Sequence, residues 1–166
     1  ARVLSYLDPW SDPMGKGFQV IQSLIGMNNG SLFGVGLGNG KEKLFFLPEA
    51  HNDFIFSVIG EELGFIGVLG VILAFFFIVI RGFKISWNVF KKQEDAFGFF
   101  LGVGITFMLG LQAFVNMCVA IGLLPTKGLS LPFISYGGSA LIINLFCVGI
   151  LLNLSQNSTH ANPISK

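Results

Sequence analysis

The sequence predicts an all-α, polytopic membrane-protein fragment with three transmembrane helices and a large extracellular loop segment. Composition gives the first reason. Of 166 residues, 52% are hydrophobic, 14% aromatic and 11% charged, and the mean hydropathy is +0.73. A soluble domain carries roughly 25% charged residues, and an apolar surface of this extent would not stay monomeric in water. Charge placement gives the second. Leu63 to Ile80 (18 residues), Ala96 to Thr126 (31) and Gly128 to Ser165 (38) contain no Asp, Glu, Lys or Arg. A membrane helix needs about 20 mostly apolar residues, with about 17 as the lower limit. The near-neutral net charge of +1 gives the third, because it implies neither nucleic acid nor any strongly charged partner.

The spans are placed at about 55–80, 96–122 and 137–154, inside a three-helix region over 54–154. Orientation follows from Lys and Arg in the short loops. The stretch 81–95 carries Arg81, Lys84, Lys91 and Lys92, whereas 122–136 carries only Lys127. The first is therefore read as a cytoplasmic loop. That puts residues 1–53 and 122–136 outside, and 155–166 inside as a polar tail. The chain starts Ala1-Arg2-Val3 and shows no signal-peptide pattern, which reads as a fragment of a longer protein. Cys118 and Cys147 both lie in apolar runs and are expected to be packing residues.

Residues 1–53 are too polar and too broken to span. Pro9 and Pro13 punctuate the start. Phe18, Val20, Ile21, Leu24, Ile25 and Met27 follow helical spacing, which predicts a short amphipathic helix at the membrane surface. The glycine-rich run Gly34-Val35-Gly36-Leu37-Gly38-Asn39-Gly40-Lys41 invites a nucleotide-binding reading and fails it. The dinucleotide pattern meets Asn39 or Lys41 where its last glycine belongs, and the phosphate-loop pattern has Val35 and Glu42 in the wrong places. A tight loop is the favoured reading. A weaker one has its backbone N–H groups, beside Lys41 and Lys43, grip a phosphate.

Leu47-Pro48-Glu49-Ala50-His51-Asn52-Asp53-Phe54 places two acids and a histidine where the outer segment enters the first span. Asp53 suits a helix cap. It also suits a general base, because partial desolvation raises a carboxylate's proton affinity. Glu61 and Glu62 lie one to two turns further on. They are expected to face protein or a wet cavity, since a charge at mid-bilayer costs about 2.5–3.5 kcal/mol. Gln112 and Asn116 are four apart and share a helix face, where hydrogen bonds to neighbouring helices are expected; Asn144 reads the same way. The stretch 125–138, with Ser135 and Tyr136, is too rich in Pro and Gly for a lipid-exposed helix, so it should lie against protein or a cavity. Lys127 is its only charge, either an anchor or a phosphate contact. No metal-ligand spacing shows.

In order along the chain stand Leu7-Asp8-Pro9-Trp10, Gly17-Phe18-Gln19, Phe33 to Gly38, Leu47-Pro48-Glu49-Ala50-His51-x-Asp53-Phe54-Ile55-Phe56, Gly60-Glu61-Glu62-Leu63-Gly64, Pro125-Thr126-Lys127-Gly128-Leu129 and Leu131 to Ser139. On these the chain resembles the SEDS family of membrane-embedded peptidoglycan polymerases. It looks most like the division-type branch, FtsW, with the elongation-type branch, RodA, and the sporulation paralogue as close alternatives. Asn52 and Asn29 depart from the family pattern, and neither removes an ionisable group.

The resemblance implies the last three of about ten spans plus the large outer loop, and hence a piece inactive alone. It implies glycosyl transfer on lipid II at a bacterial division septum, with undecaprenyl pyrophosphate leaving. It assigns Asp53 as the base. It makes Lys41, Lys43, Lys127, Glu49 and His51 candidate substrate contacts, and Glu61, Glu62, Gln112, Asn116, Ser135 and Tyr136 supporting or cavity residues. It implies a class B penicillin-binding protein, other divisome proteins and membrane lipids as partners, and no nucleic acid. It is compatible with a divalent cation, for which no ligand set is visible. A lipid-linked-precursor transporter and a membrane scaffold are the competing readings.

Overall fold

A computed structural model of the chain describes residues 18–40, 54–125 and 128–160. Four helices make up the described fold: α1 (Phe18–Gly30), α2 (Ile55–Gln93), α3 (Ala96–Ala120) and α4 (Gly138–His160). Three of them are long and apolar enough to cross a membrane, over Ile55–Lys92, Ala96–Ala120 and Gly138–Gln156. The protein is an all-helical, multi-pass membrane protein among its described residues. α2 is the central element, packing against each of the other three.

α2 differs from the expected first span in two ways. Its 39 residues extend about 58 Å at 1.5 Å per residue, well beyond a hydrocarbon core of about 30 Å. The basic stretch read as a loop is helical as far as Gln93. No proline or glycine pair interrupts it, and Lys91 and Lys92 in the last turn suit the negative end of the helix dipole. Only Glu94 and Asp95 connect α2 to α3. Glu94 takes a left-handed conformation and donates its N–H to Phe90 O at 3.1 Å, and Asp95 Oδ1 caps α3 by accepting from the Gly98 N–H at 3.0 Å. The second difference is a break at Gly64 (φ 69°, ψ −164°). This backbone conformation is open essentially to glycine alone.

α2 and α3 form a tight antiparallel hairpin because small residues face each other. A Cβ at Gly82 would overlap the Thr106 side chain, and one at Gly102 would overlap the Ser86 hydroxyl. Each hydroxyl bonds back into its own helix: Ser86 Oγ donates to Gly82 O at 2.9 Å and Thr106 Oγ to Gly102 O at 2.7 Å. Membrane helices associate through close packing of this kind, since apolar area gives no advantage over lipid. Trp87, Phe90, Phe99 and Phe100 cluster at this end with ring centroids 5.2–6.3 Å apart. Of these only Trp87 carries the polar ring N–H that favours the membrane–water boundary.

At the opposite end α3 closes with left-handed Gly122. The Leu123 N–H donates to Cys118 O (2.7 Å) and the Gly122 N–H to Val119 O (3.0 Å), the two bonds of a Schellman cap. α1 docks there. Val20, Ile21, Ser23, Gly26 and Gly30 are its buried positions, and Ser23 Oγ donates to Ala120 O at 2.5 Å. The predicted amphipathic helix thus has its inner face on protein. The third spanning helix runs to His160, beyond the predicted boundary at residue 154.

Candidate functional site

The break in α2 is fastened by the glycine-rich loop. Interrupting a helix orphans carbonyls on one side and N–H groups on the other, and the loop supplies both kinds of partner. Val35 N–H donates to Glu61 O at 3.0 Å and Gly36 N–H to Glu62 O at 3.1 Å. Across the break, Phe65 N–H donates to Ser31 O (3.0 Å) and Ile66 N–H to Leu32 O (3.4 Å). This pairing needs backbones in contact. A Cβ on Gly34 (φ 79°) would overlap the Glu62 carbonyl, and one on Gly30 the Gly60 carbonyl. Gly34, Val35 and Gly36 therefore commit their N–H groups to Gly30, Glu61 and Glu62. Those groups are not free to grip a phosphate, which removes that reading at these three positions.

Glu61 is only 2% exposed, although it lies on a spanning helix; Glu62 is half-buried. Both acids face the end of the glycine loop. A Cβ on Gly40 would lie 2.9 Å from Glu61 Oε2 and 3.2 Å from Glu62 Oε1. Glu61 thus faces protein, as the cost of charge in hydrocarbon requires.

Asp53, Glu49, His51, Lys41, Lys43 and Lys127 lie outside the described residues. Phe54, next to Asp53, holds the cap position of α2 without a side-chain cap bond. It is buried in a cluster with Val58 and Val119, against which Val115 and Leu124 pack. Leu124 lies three residues before Lys127. Segments 70 residues apart in sequence therefore meet at one end of the bundle.

The stretch after α3 returns to the same end. Leu131 and Pro132 are fully buried, and Leu131 joins a core with Phe56, Val68, Phe75, Ala113 and Ala120. The face shared by Gln112 and Asn116 holds this stretch. Gln112 Nε2 donates to Ser130 O at 3.0 Å and Asn116 Nδ2 to Leu129 O at 2.6 Å. Their partners are loop carbonyls, where helix–helix bonds were expected. Irregular backbone has unspent carbonyls and a regular helix does not. Ser135 Oγ accepts the Leu131 N–H at 2.7 Å. Tyr136 is 84% exposed. Asn144 is buried on α4. Among the described residues no group of three or more His, Cys, Asp or Glu is placed to hold a metal ion.

The glycines at 34, 36 and 64 carry a structural role that sequence reasoning missed. The run was read as one tight loop and Gly64 as part of a span. The available signal was a second glycine, Gly64, four after Gly60 within a helix and beside two acids.

A spanning helix broken at Gly64, a loop that fastens the break and an irregular stretch held on the polar face of α3 belong to a polytopic membrane protein. The model of the FtsW/RodA/SpoVE cell cycle proteins matches residues 1–160, and the chain belongs to that family. It is 59% identical over 154 residues to a probable peptidoglycan glycosyltransferase FtsW of Geobacter metallireducens, covering 93% of this chain and 40% of that protein. It is 47% identical over 159 residues to the stage V sporulation protein E of Bacillus subtilis, covering 96% and 42%. A solved structure, from work on the coordination of polymerization and crosslinking by a peptidoglycan synthase complex, superposes with a TM-score of 0.70. It is 36% identical, over 96% of this chain and 42% of that one. The chain thus spans about two fifths of the length of these relatives.

Proposed function

We propose that this chain carries the catalytic base of a peptidoglycan glycosyltransferase that polymerises lipid II during septal wall synthesis. The carrying observation is that Leu124 packs against the cluster of Phe54, Val58 and Val119 at one end of the bundle. Asp53 directly precedes Phe54 in sequence, and Lys127 follows Leu124 by three positions. Similarity to proteins named FtsW supports the division-type role.

In this reading Asp53 accepts the proton of the acceptor's GlcNAc 4-hydroxyl. That oxygen attacks C1 of the donor's MurNAc, the C1–phosphate oxygen bond breaks, and undecaprenyl pyrophosphate leaves. Lys41, Lys43 and Lys127 offset the charge of the leaving pyrophosphate, and Glu49 and His51 contact substrate. Residues 1–53 face the outside of the bacterial plasma membrane, the C-terminus faces the cytoplasm, and the complete protein works at the septum. A class B penicillin-binding protein is the proposed partner, supported by likeness to a component of a peptidoglycan synthase complex. A divalent cation at the pyrophosphate is compatible with this chemistry.

The test is polymerisation of labelled lipid II by the complete protein. Asp53→Ala should insert normally and make no glycan; polymerisation at the normal rate would overturn the assignment. Broken helices also occur in transporters. Precursor crossing in liposomes without chain growth would favour that reading, and a scaffold would tolerate Asp53→Ala.

A further inference from the structure

We propose that Gly34 and Gly64 are positioning residues for Asp53. Through them the loop 31–36 inserts into α2 and sets the direction of its outer segment, residues 55–63. The proposal rests on the reading of Asp53 as the base.

The first ground is the bonding across the break. An α-helix bonds each N–H to the carbonyl four residues back. Over the break those pairs are Phe65 with Glu61 and Ile66 with Glu62. The loop stands between the partners of both pairs. Glu61 O accepts from Val35 N–H (3.0 Å), while Phe65 N–H donates to Ser31 O (3.0 Å). Glu62 O accepts from Gly36 N–H (3.1 Å), while Ile66 N–H donates to Leu32 O (3.4 Å). Four bonds to one loop thus stand in for two rungs of the helix, and the backbone groups stay satisfied. The break is held from both sides, which makes it a fixed kink and not a free hinge.

The second ground is the meeting of two glycines. A Cβ on Gly64 would overlap Gly34 N and Leu32 O, and one on Gly34 would overlap the Glu62 carbonyl. Neither position admits a side chain while the loop is inserted. Gly64 also holds φ 69° and ψ −164°, which alanine avoids in favour of the helical conformation. Alanine at 64 therefore favours direct closure of the two rungs and expels the loop.

The third ground is transmission to Asp53. Phe54 is fully buried. Its carbonyl accepts the Ser57 N–H (3.0 Å), the Val58 N–H (3.3 Å) and the Ser57 hydroxyl (2.7 Å). Asp53 is the residue just before it. Phe54 lies ten residues from Gly64, about 15 Å along a helix. A turn of about 4° over that length moves Phe54 by about 1 Å, and misplacing a reacting group by about 1 Å can cost about a hundredfold in rate. A small change at the kink is therefore large at the base.

The test uses the complete protein in lipid nanodiscs. Nitroxides at Ile59→Cys and Lys84→Cys, one on each side of the break, report its geometry by pulsed EPR once the native cysteines are replaced by Ala. Unlabelled variants give kcat and KM for lipid II and a thermal midpoint. In Gly34→Ala and Gly64→Ala the distance between labels should shift and kcat should fall at least about tenfold. KM should stay within about twofold, because the lost geometry matters in the transition state. Gly102→Leu, at the seam of α2 and α3, is the comparator: it should lower the midpoint and leave the distance and kcat at parent values. An unchanged distance, an unchanged kcat or a loss confined to KM would overturn the proposal. So would an equal fall of kcat in Gly102→Leu, since the loss would then follow stability alone. If neither variant folds, Gly36→Ala carries the test. A Cβ there meets only the Asn39 side chain, at 3.2 Å, while φ of 100° strains the residue that donates to Glu62 O. Asp53→Ala is assayed alongside. Normal polymerisation by Asp53→Ala overturns the base reading and this one together. No glycan from Asp53→Ala, with full kcat in the glycine variants, overturns this one alone.

Discussion

At the scale of the residue, two glycines of one loop do different work. Gly34 and Gly38 both have positive φ, 79° and 83°. A non-glycine residue there costs roughly 1–2 kcal/mol in backbone conformation. Gly34 also meets the Glu62 carbonyl, whereas Gly38 meets open space. Gly34→Ala should therefore destabilise the complete protein clearly more than Gly38→Ala, with overpacking adding about 1–3 kcal/mol. Thermal unfolding of both variants in detergent measures the difference. Equal losses would mean that close approach is not what demands glycine at 34. Glu61 carries a related lesson. Its burial followed from sequence, because a carboxylate in a span must avoid lipid. Its neighbour Gly40 did not, because that contact joins positions 21 residues apart.

At the scale of the element, α3 is a span with one polar face, and that face anchors the irregular stretch that follows it. Asn116→Ala removes the bond to Leu129 O and Gln112→Ala the bond to Ser130 O. Each such bond contributes about 0.6–2 kcal/mol within a membrane protein. Asn116 is buried and its bond is the shorter, at 2.6 Å, so Asn116→Ala should cost more. Limited proteolysis near 125–130, with the complete protein in nanodiscs, should then cut faster in Asn116→Ala than in the parent. An unchanged rate would show that Leu131 and Pro132 hold the stretch by burial alone. The shared face of these two side chains was legible from their spacing of four. Their partners were not, since donors at helical spacing do not reveal which carbonyls lie opposite. The stretch 81–95 shows the converse error. Its charges were read as a loop, but charge sets the medium a segment meets and not whether its backbone is helical.

At the scale of the whole molecule, assembly rests on α2 and on the small-residue seam it shares with α3. Gly102 faces the Ser86 hydroxyl with no room for a side chain. Gly102→Leu should push the hairpin apart and cost about 1–3 kcal/mol of overpacking, read as a lowered thermal midpoint. Gly104→Leu is the control, because nothing lies within 4 Å of Gly104. If both variants melt alike, the seam does not hold the hairpin.

The medium, the three spans and the motif order were legible along the chain. The cost of charge in hydrocarbon sums locally over about 20 residues, and a family pattern is written in sequence order. The break at Gly64, its repair by residues 31–36 and the packing of Leu124 on the Phe54, Val58 and Val119 cluster were decided in three dimensions. Each depends on which backbone groups come into contact across 30 to 70 positions. A glycine permits such a contact without naming its partner, and only the packed helices supply one.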